Sequence, residues 1–400
     1  MANALLTATA VTRESLRVLH QKLGFVGNVN RQYDSSFAKS GAKIGDSLKI
    51  RLPNQYSVRT GATLSAQDTA ETSVTLQVAT QKGVDLNFTS ADLTLSLDDF
   101  SERILDPAMS VLAANIEADA MSMYKDVANQ VNNHANPATF KKILDGRKVL
   151  VDNLAPLADR TCNLNTQDNV DLVDALKGLF HDQKEVAKQY REGYLGRTSG
   201  FDFVENTLWP AHARGAANGA YTTNTQVGTL PLVATPVTAI TVATGAGSFA
   251  KGDVFTIANV FRIHPETKVL TSTLQQFAAA ADYAGGGGSL AITPSIVLAG
   301  PQQNVVIPST SATAALAVTG TVSTAHGISL AYHKDAFAFA TADLVIPKGV
   351  DFSAREMHDG VSIRVVRQYD INNDKFPCRL DVLYGYKTLR ANQAVRYANS

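Results

Sequence analysis

Residues 97–133 read LDDFSERILDPAMSVLAANIEADAMSMYKDVANQVNN. Apolar side chains recur at Leu105, Met109, Leu112, Ile116, Ala120, Met123, Val127 and Val131, always three or four apart, which is one face of an α-helix. Asp106 followed by Pro107 reads as N-cap and first helical residue, so the helix is expected to begin there, with the acidic run before it as a separate lead-in turn. Running from 107 to 132, it would span roughly 39 Å. A rod of that length crosses a whole domain, and its apolar stripe has to be buried by the rest of the chain.

N-terminal to the rod the period changes to two. Leu48, Ile50 and Leu52 alternate with Lys49 and Arg51, and Val74, Leu76 and Val78 answer them across a polar connection containing Gly61, the pattern of a long antiparallel hairpin. The connection is rich in Thr, Ser, Gln and Ala, so its tip is expected to project into solvent or onto a partner. Val84, Leu86 and Phe88 continue as a strand toward the helix. Residues 1–45 read as an arm in which Thr12 caps a short helix carrying Leu16, Leu19 and Leu23, and Gly24 stops it. The polar run after it predicts that this helix has little core of its own chain to rest on.

C-terminal to the rod, a helix is expected over 138–154, and Asn165 to Asp168 caps another carrying Val170, Val173, Leu176, Leu179 and Phe180. Residues 186–200 read as a glycine-punctuated loop. Composition then breaks: no residue between Arg214 and Lys251 is charged. Short apolar runs at 237–242, 254–260, 290–292, 304–307 and 316–322, separated by Gly and Pro turns, predict an inserted small β-barrel or sandwich over 221–325. Strands are expected again at 328–332, 342–346, 361–367 and 378–383, before a modestly basic tail.

The 400 residues carry 36 Lys+Arg and 36 Asp+Glu, so the molecule as a whole has no electrostatic bias toward nucleic acid or anionic membrane. The neutrality hides a segregation: residues 1–60 hold nine basic against three acidic side chains, and residues 61–130 three against eleven. Such a split is either satisfied within one fold or makes the surface of one copy complementary to that of the next. Lys49, Arg51 and Arg59 on the hairpin and Glu102, Asp106, Glu117 and Asp119 on or beside the helix are the expected inter-subunit contacts, each exposed pair contributing about 0.2–1 kcal/mol. Cys162 and Cys378 fit neither a disulfide framework nor a zinc site, and no leader or membrane-spanning run is read.

Motifs of catalysis or cofactor binding are not found. GAGSFAKG at 245–252 lacks the GK[ST] ending and following helix of a phosphate loop, and reads as a β-turn. The four glycines 285–288 read as a flexible loop. Asp370, Asn372, Asn373, Asp374 and Asp381 imitate a calcium loop, but Lys375 stands where that loop needs Gly, which leaves a hairpin turn. The eight histidines (20, 134, 181, 212, 264, 326, 333, 358) show no metal spacing. No enzyme, cofactor or metal is expected.

Long stretches resemble the coat proteins of tailed double-stranded DNA phages similar to that of phage P22: VTRESLRVL in the arm, KIGDSLKIRLP and SAQDTAETSVTLQVATQKGVDLNFTSADLTLSLDDFSERIL through hairpin and helix, DLVDALKGLF and AKQYREGYLGRTSGFDF in the middle, and the whole of 331–390. In the inserted region AKGDVFTIANV and SLAITPSIV match best. The resemblance implies an α+β, HK97-like capsid fold: N-arm 1–45, E-loop 46–83, peripheral domain with its spine helix 84–138, axial domain 139–220 and 326–349, inserted β-domain 221–325, peripheral strands 350–386 and a C-terminal segment 387–400. It implies a major capsid protein whose pentamers and hexamers form an icosahedral shell around double-stranded DNA, bound without sequence specificity. A scaffolding protein and a portal are the implied partners, assembly is in the host cytoplasm, and the virion is the destination. The uncharged segment 221–236 departs from the salt-bridged two-fold contact of that family. Other readings at this stage are an encapsulin-like nanocompartment shell and a carbohydrate-binding β-rich protein.

Overall fold

The computed structural model describes residues 8–31, 46–64, 66–67, 71–88, 104–176, 197–218, 221–223, 236–243, 245–308, 313–350, 352–358, 361–371 and 375–399. Of the expected features, the lead-in turn at 97–103 with Glu102, the loop over 186–196 and most of the uncharged segment 221–236 lie outside these residues. The chain divides into two compact units. One comprises Met1–Arg51, Ser73–Ser122 and Phe337–Leu389, the other Leu52–Thr72, Met123–Ala336 and Arg390–Ser400.

The first unit is built on a five-stranded antiparallel sheet. Phe376–Thr388, the long strand, pairs with Phe337–Ala342 and Val361–Arg367, and Phe352–His358 extends the sheet beyond the latter. Thr80–Phe88 also pairs along the long strand, from Phe376↔Phe88 to Tyr384↔Thr80. The strand expected at 342–346 sits five residues earlier, in FAFATA, where every residue is buried, while Val345 is 70% exposed. Burial on both faces explains the misreading, since such a strand shows no alternation.

The spine helix runs Asp106–Met121 with Pro107 in its first turn. Met109, Leu112, Ile116 and Ala120 are buried, as their spacing requires. The helix does not continue to Asn132: a 3-10 segment, Ser122–Asp126, follows, and Gln130–Asn132 is a strand. Ser122 Oγ donates to the Asp119 carbonyl at 2.6 Å, a local bond that competes with helix continuation. Met123, Val127 and Val131 are buried from the 3-10 segment, the turn after it and the strand, so their helical spacing does not mark a helix.

The arm helix, Ala8–Lys22, also departs from expectation. It packs on the spine helix and on Phe352–His358 and Val361–Arg367 of its own unit. Leu16, Leu19, Leu23, Phe25, Val26 and Val29 are all buried. Past it, Asn30 N–H donates to Phe337 O at 3.1 Å and Phe339 N–H to Asn30 O at 3.0 Å, adding one residue of strand to the sheet edge.

In the second unit a seven-stranded mixed sheet runs Gln130–Asn132, Ala394–Asn399, Ala325–His333, Arg160–Leu164, Phe201–Glu205, Arg197–Thr198, with His212–Ala213 pairing the start of Ala325–His333. Helices Phe140–Asp152 and Thr166–Leu176 supply Ile143, Leu150, Leu172 and Leu176 to a core shared with Cys162, Ala331 and Val395. Asn165 Oδ1 accepts the Asp168 N–H at 2.7 Å, the N-cap that the sequence predicted. Gly146 permits this packing, because a Cβ there would stand 2.0 Å from the Tyr397 hydroxyl.

A six-stranded antiparallel sheet completes this unit, in the order Val305–Val306, Val254–Ile263, Leu270–Ala279, Gly288–Ile296, Val237–Val242, with Leu316–Val318 pairing Val254–Ile263. Val237–Val242 matches the sequence reading residue for residue, whereas Leu270–Ala279 escaped it. Its first half, LTST, is largely exposed, so it offers no apolar alternation to read. Tyr221, Phe249, Phe255, Phe277 and Leu290 form the core. Isolated bridges Thr222↔Ala315 and Thr223↔Val242 link the outer strands.

Candidate assembly surface

The hairpin has the register its alternation demands. Asp46–Arg51 and Ser73–Val78 pair with Leu48 opposite Leu76 and Ile50 opposite Val74. One face is anchored: Ile50, Leu76 and Val78 pack on Ala338, Ala340, Ala342 and Leu383 of the sheet. The other face carries Lys49 and Arg51, both exposed. Beyond the strands the connection presents apolar side chains to solvent: Tyr56 is 59%, Leu64 83% and Val58 95% exposed. Scattered singly such residues mean little, but these three share one short connection. Ser57 and Gln67 brace it, with Ser57 N–H donating to Gln67 Oε1 at 2.9 Å and Gln67 Nε2 to the Ser57 carbonyl at 2.5 Å. Arg59 folds back on the same connection, donating to the carbonyls of Gly61 and, at 3.1 Å, Thr63.

The acidic side is less available than its composition promised. Glu117 is 1% exposed, and its carboxylate accepts the backbone N–H groups of Phe25 and, at 3.1 Å, Val26. It caps the turn after the arm helix and is withdrawn from the inter-subunit set. Asp119 accepts the Tyr384 hydroxyl at 2.5 Å and pairs with Lys82 Nζ at 2.7 Å, all within its own unit. Burial and the adjacent carboxylate push the Tyr384 phenol up, so the proton stays on the tyrosine. Asp106 is half-buried in the first turn of the spine helix, and adds a little to the hold that Glu14 has on the charged form of Arg17. Of the seven residues singled out, Lys49 and Arg51 lie on an outward hairpin face and Asp106 in the first turn of the helix, with Arg51 and Asp106 also engaged within their own chain.

Among the described residues no group of three or more His, Cys, Asp and Glu side chains is placed to hold a metal. Cys162 and Cys378 are buried free thiols, and burial pushes Cys378 up to about 12 and Cys162 further. The segment 245–252 is packed as a turn, with the Tyr221 hydroxyl on the Gly247 carbonyl at 2.5 Å. Among the described residues no helix is long and apolar enough to cross a membrane. One grouping was invisible in sequence: His134, His212 and His326, far apart along the chain, come together beside Arg396.

The family model described as "P22 coat protein - gene protein 5" matches residues 3–395. The chain belongs to the P22 coat protein family. It is thus a major capsid protein that forms the phage head shell, a structural role whose place is the virion. Solved structures similar to this coat protein include one of Mycobacterium phage Che8, 14% identical, covering 94% of this chain and 90% of that one with a TM-score of 0.48. The capsid of cyanophage P-SCSP1u is 10% identical, with 89% and 84% covered and a TM-score of 0.43. The mature capsid of bacteriophage PhiM1 is 11% identical, with 90% and 82% covered and a TM-score of 0.42. No curated protein matches the chain.

Proposed function

We propose that this coat protein has the HK97-like division set out from its sequence, with residues 46–83 as the E-loop, and that the E-loop connection seats on a neighbouring copy to close pentamers and hexamers into an icosahedral shell. The observation that carries this is the hairpin itself, whose base is anchored in its own sheet while Tyr56, Val58 and Leu64 stand in water. A monomer gains nothing by holding three large apolar side chains there, whereas a neighbour that covers them recovers about 1.5–3 kcal/mol for each one fully buried. Lys49 and Arg51 add charge to the same element, and Asp106 with Glu102 is the acidic counterpart we assign on the neighbour. Glu117, Asp119 and Arg59 hold the subunit's own structure instead. The strands over 237–318 form a small barrel within an inserted domain, a reading supported by the bridges at Thr222 and Thr223. Scaffolding protein, portal and the packaged DNA are the partners of such a shell.

Val58→Ser combined with Leu64→Ser is expected to leave the urea midpoint of the monomer unchanged, since both residues are exposed, and to cut the yield of closed shells counted by negative-stain microscopy at least tenfold. Arg51→Glu should give a smaller loss that deepens at low salt, because screening sets the strength of exposed pairs. Wild-type shell yield from the double serine variant would remove the E-loop tip from the assembly mechanism.

A further inference from the structure

His212 and His326 face each other across adjacent strands, in register with Ala213 and Ala325. Their ring centroids are 5.4 Å apart, and His134 stands edge-on to His326 at 4.4 Å. His212 bridges two groups, with Nδ1 3.1 Å from the Tyr124 hydroxyl and Nε2 3.0 Å from Asp253 Oδ1. Asp253 is at the same time held by the N–H groups of Gly215 at 3.0 Å and Ala250 at 2.8 Å. His134 Nε2 is 3.2 Å from the Gln130 amide, and His326 Nε2 is buried without a hydrogen-bond partner.

This cluster lies where the seven-stranded sheet meets the six-stranded sheet inside one unit. His134 follows the strand Gln130–Asn132, while Asp253 opens Val254–Ile263. Several hydrogen bonds cross the same junction. Arg396 Nη2 donates to the Gly252 carbonyl, Arg214 Nη1 to the Gly320 carbonyl, and Gln130 exchanges bonds of 2.9 and 3.0 Å with Gln276. The packing is close enough that a Cβ at Gly320 would stand 2.9 Å from His134.

We propose that His134 and His326, packed around His212, are an acid-sensitive latch between the two sheets: neutral imidazoles pack and close the junction, and protonated ones repel each other and the buried guanidinium groups and open it. The charge balance carries the inference. Arg396 is fully buried and Arg214 nearly so, and both face the cluster, against the one carboxylate of Asp253. Tyr124, the remaining titratable neighbour, is kept neutral by burial. Lys125 and the exposed Lys251–Asp126 pair stand at the rim. The site already holds a cationic excess, so each proton taken up adds like charge in a place that water reaches poorly.

Burial, with Arg214, Arg396 and His212 nearby, holds His134 below the ordinary imidazole range, and burial with His134 and His212 pushes His326 down to about 3. Folded values below the unfolded one mean that the stabilisation is complete above the unfolded imidazole value of about 6.5 and drains away as pH falls toward the folded value. The open state binds protons that the closed state refuses. Its population rises by about tenfold per pH unit for each such histidine, hence up to about a hundredfold for His134 and His326 together.

Hydrogen exchange with mass spectrometry on the full-length chain, between about pH 7.5 and 4.5 and corrected for intrinsic exchange, reads this directly. Peptides over 124–134, 210–216, 322–328 and 394–399 are expected to lose protection steeply on acidification while the long strand Phe376–Thr388 does not. His326→Gln, which cannot take the proton, should flatten the pH slope of those peptides by about tenfold per unit. Where that variant fails to fold, His134→Gln at the cluster's more open edge and the wild-type series each give the same reading. A junction whose protection is flat over this range, or falls only in parallel with the rest of the chain, would overturn the latch, as would an unchanged slope in the glutamine variants.

Discussion

Glu117→Ala is expected to lower the stability of the first unit by about 2–5 kcal/mol, because it strands two buried donors, each costing about 1–3 kcal/mol when unpaired. The donors are the N–H groups of Phe25 and Val26, at the turn where the arm helix passes into the sheet edge. Phe25, whose ring stands 5.8 Å from that of Phe337, and Val26 are fully buried, so the turn cannot simply rotate its amides toward water. Glu117→Gln keeps one carbonyl acceptor and should fall between wild type and alanine. Urea unfolding measures the loss. Trypsin reports where it acts, since cleavage at Arg17 in the arm helix should accelerate in the alanine variant well before the rest of the chain is cut. Unchanged midpoints together with unchanged arm cleavage would show that the carboxylate is incidental to the arm's docking.

The arm also marks where sequence reading reached its limit. Its helix was legible from Leu16, Leu19 and Leu23, but the partner of that helix was not. Phe25, Val26 and Val29 occupy a short non-periodic run that reads as connection, and the group that fixes them is a glutamate some ninety residues further on, in a helix whose charged positions look like solvent-facing ones. The hairpin is the opposite case. Its strands are half-buried, alternation survives in the sequence, and the register follows. Ala394–Asn399 failed for a third reason: all six residues are buried, Arg396 among them, and a buried arginine looks in sequence like a basic tail. The histidine cluster was beyond reach on similar grounds, since His212 and His326 are joined by strand pairing between segments more than a hundred residues apart and His134 reaches them from a third segment, not by any spacing along the chain.

Gly385→Val is expected to cost the shell more than it costs the fold. A Cβ at Gly385 on the long strand would stand 2.1 Å from the backbone carbonyl of Gln77 and 3.0 Å from Val78 Cα, so the second hairpin strand lies on the sheet at a distance only glycine allows. The rest of the seat is small too, being Ala338, Ala340 and Ala342, over which Leu76 and Val78 pack. A valine there meets backbone, which cannot turn aside as a flexible side chain would. Either the two elements separate or the long strand bows, and overpacking of this kind costs about 1–3 kcal/mol or more. Separation is the cheaper outcome, because the hairpin is held by one apolar face whereas the long strand is paired on both edges. A hairpin lifted at its base displaces both ends of the connection that carries Tyr56, Val58 and Leu64, the side chains we assign to the neighbour. The expected result is a folded monomer with a urea midpoint only modestly reduced and few or no closed shells in negative-stain images. Gly385→Ala, with a single added methyl, should show the same order of effects at smaller amplitude. Closed shells at wild-type yield from the valine variant would mean that the angle of the hairpin does not govern assembly.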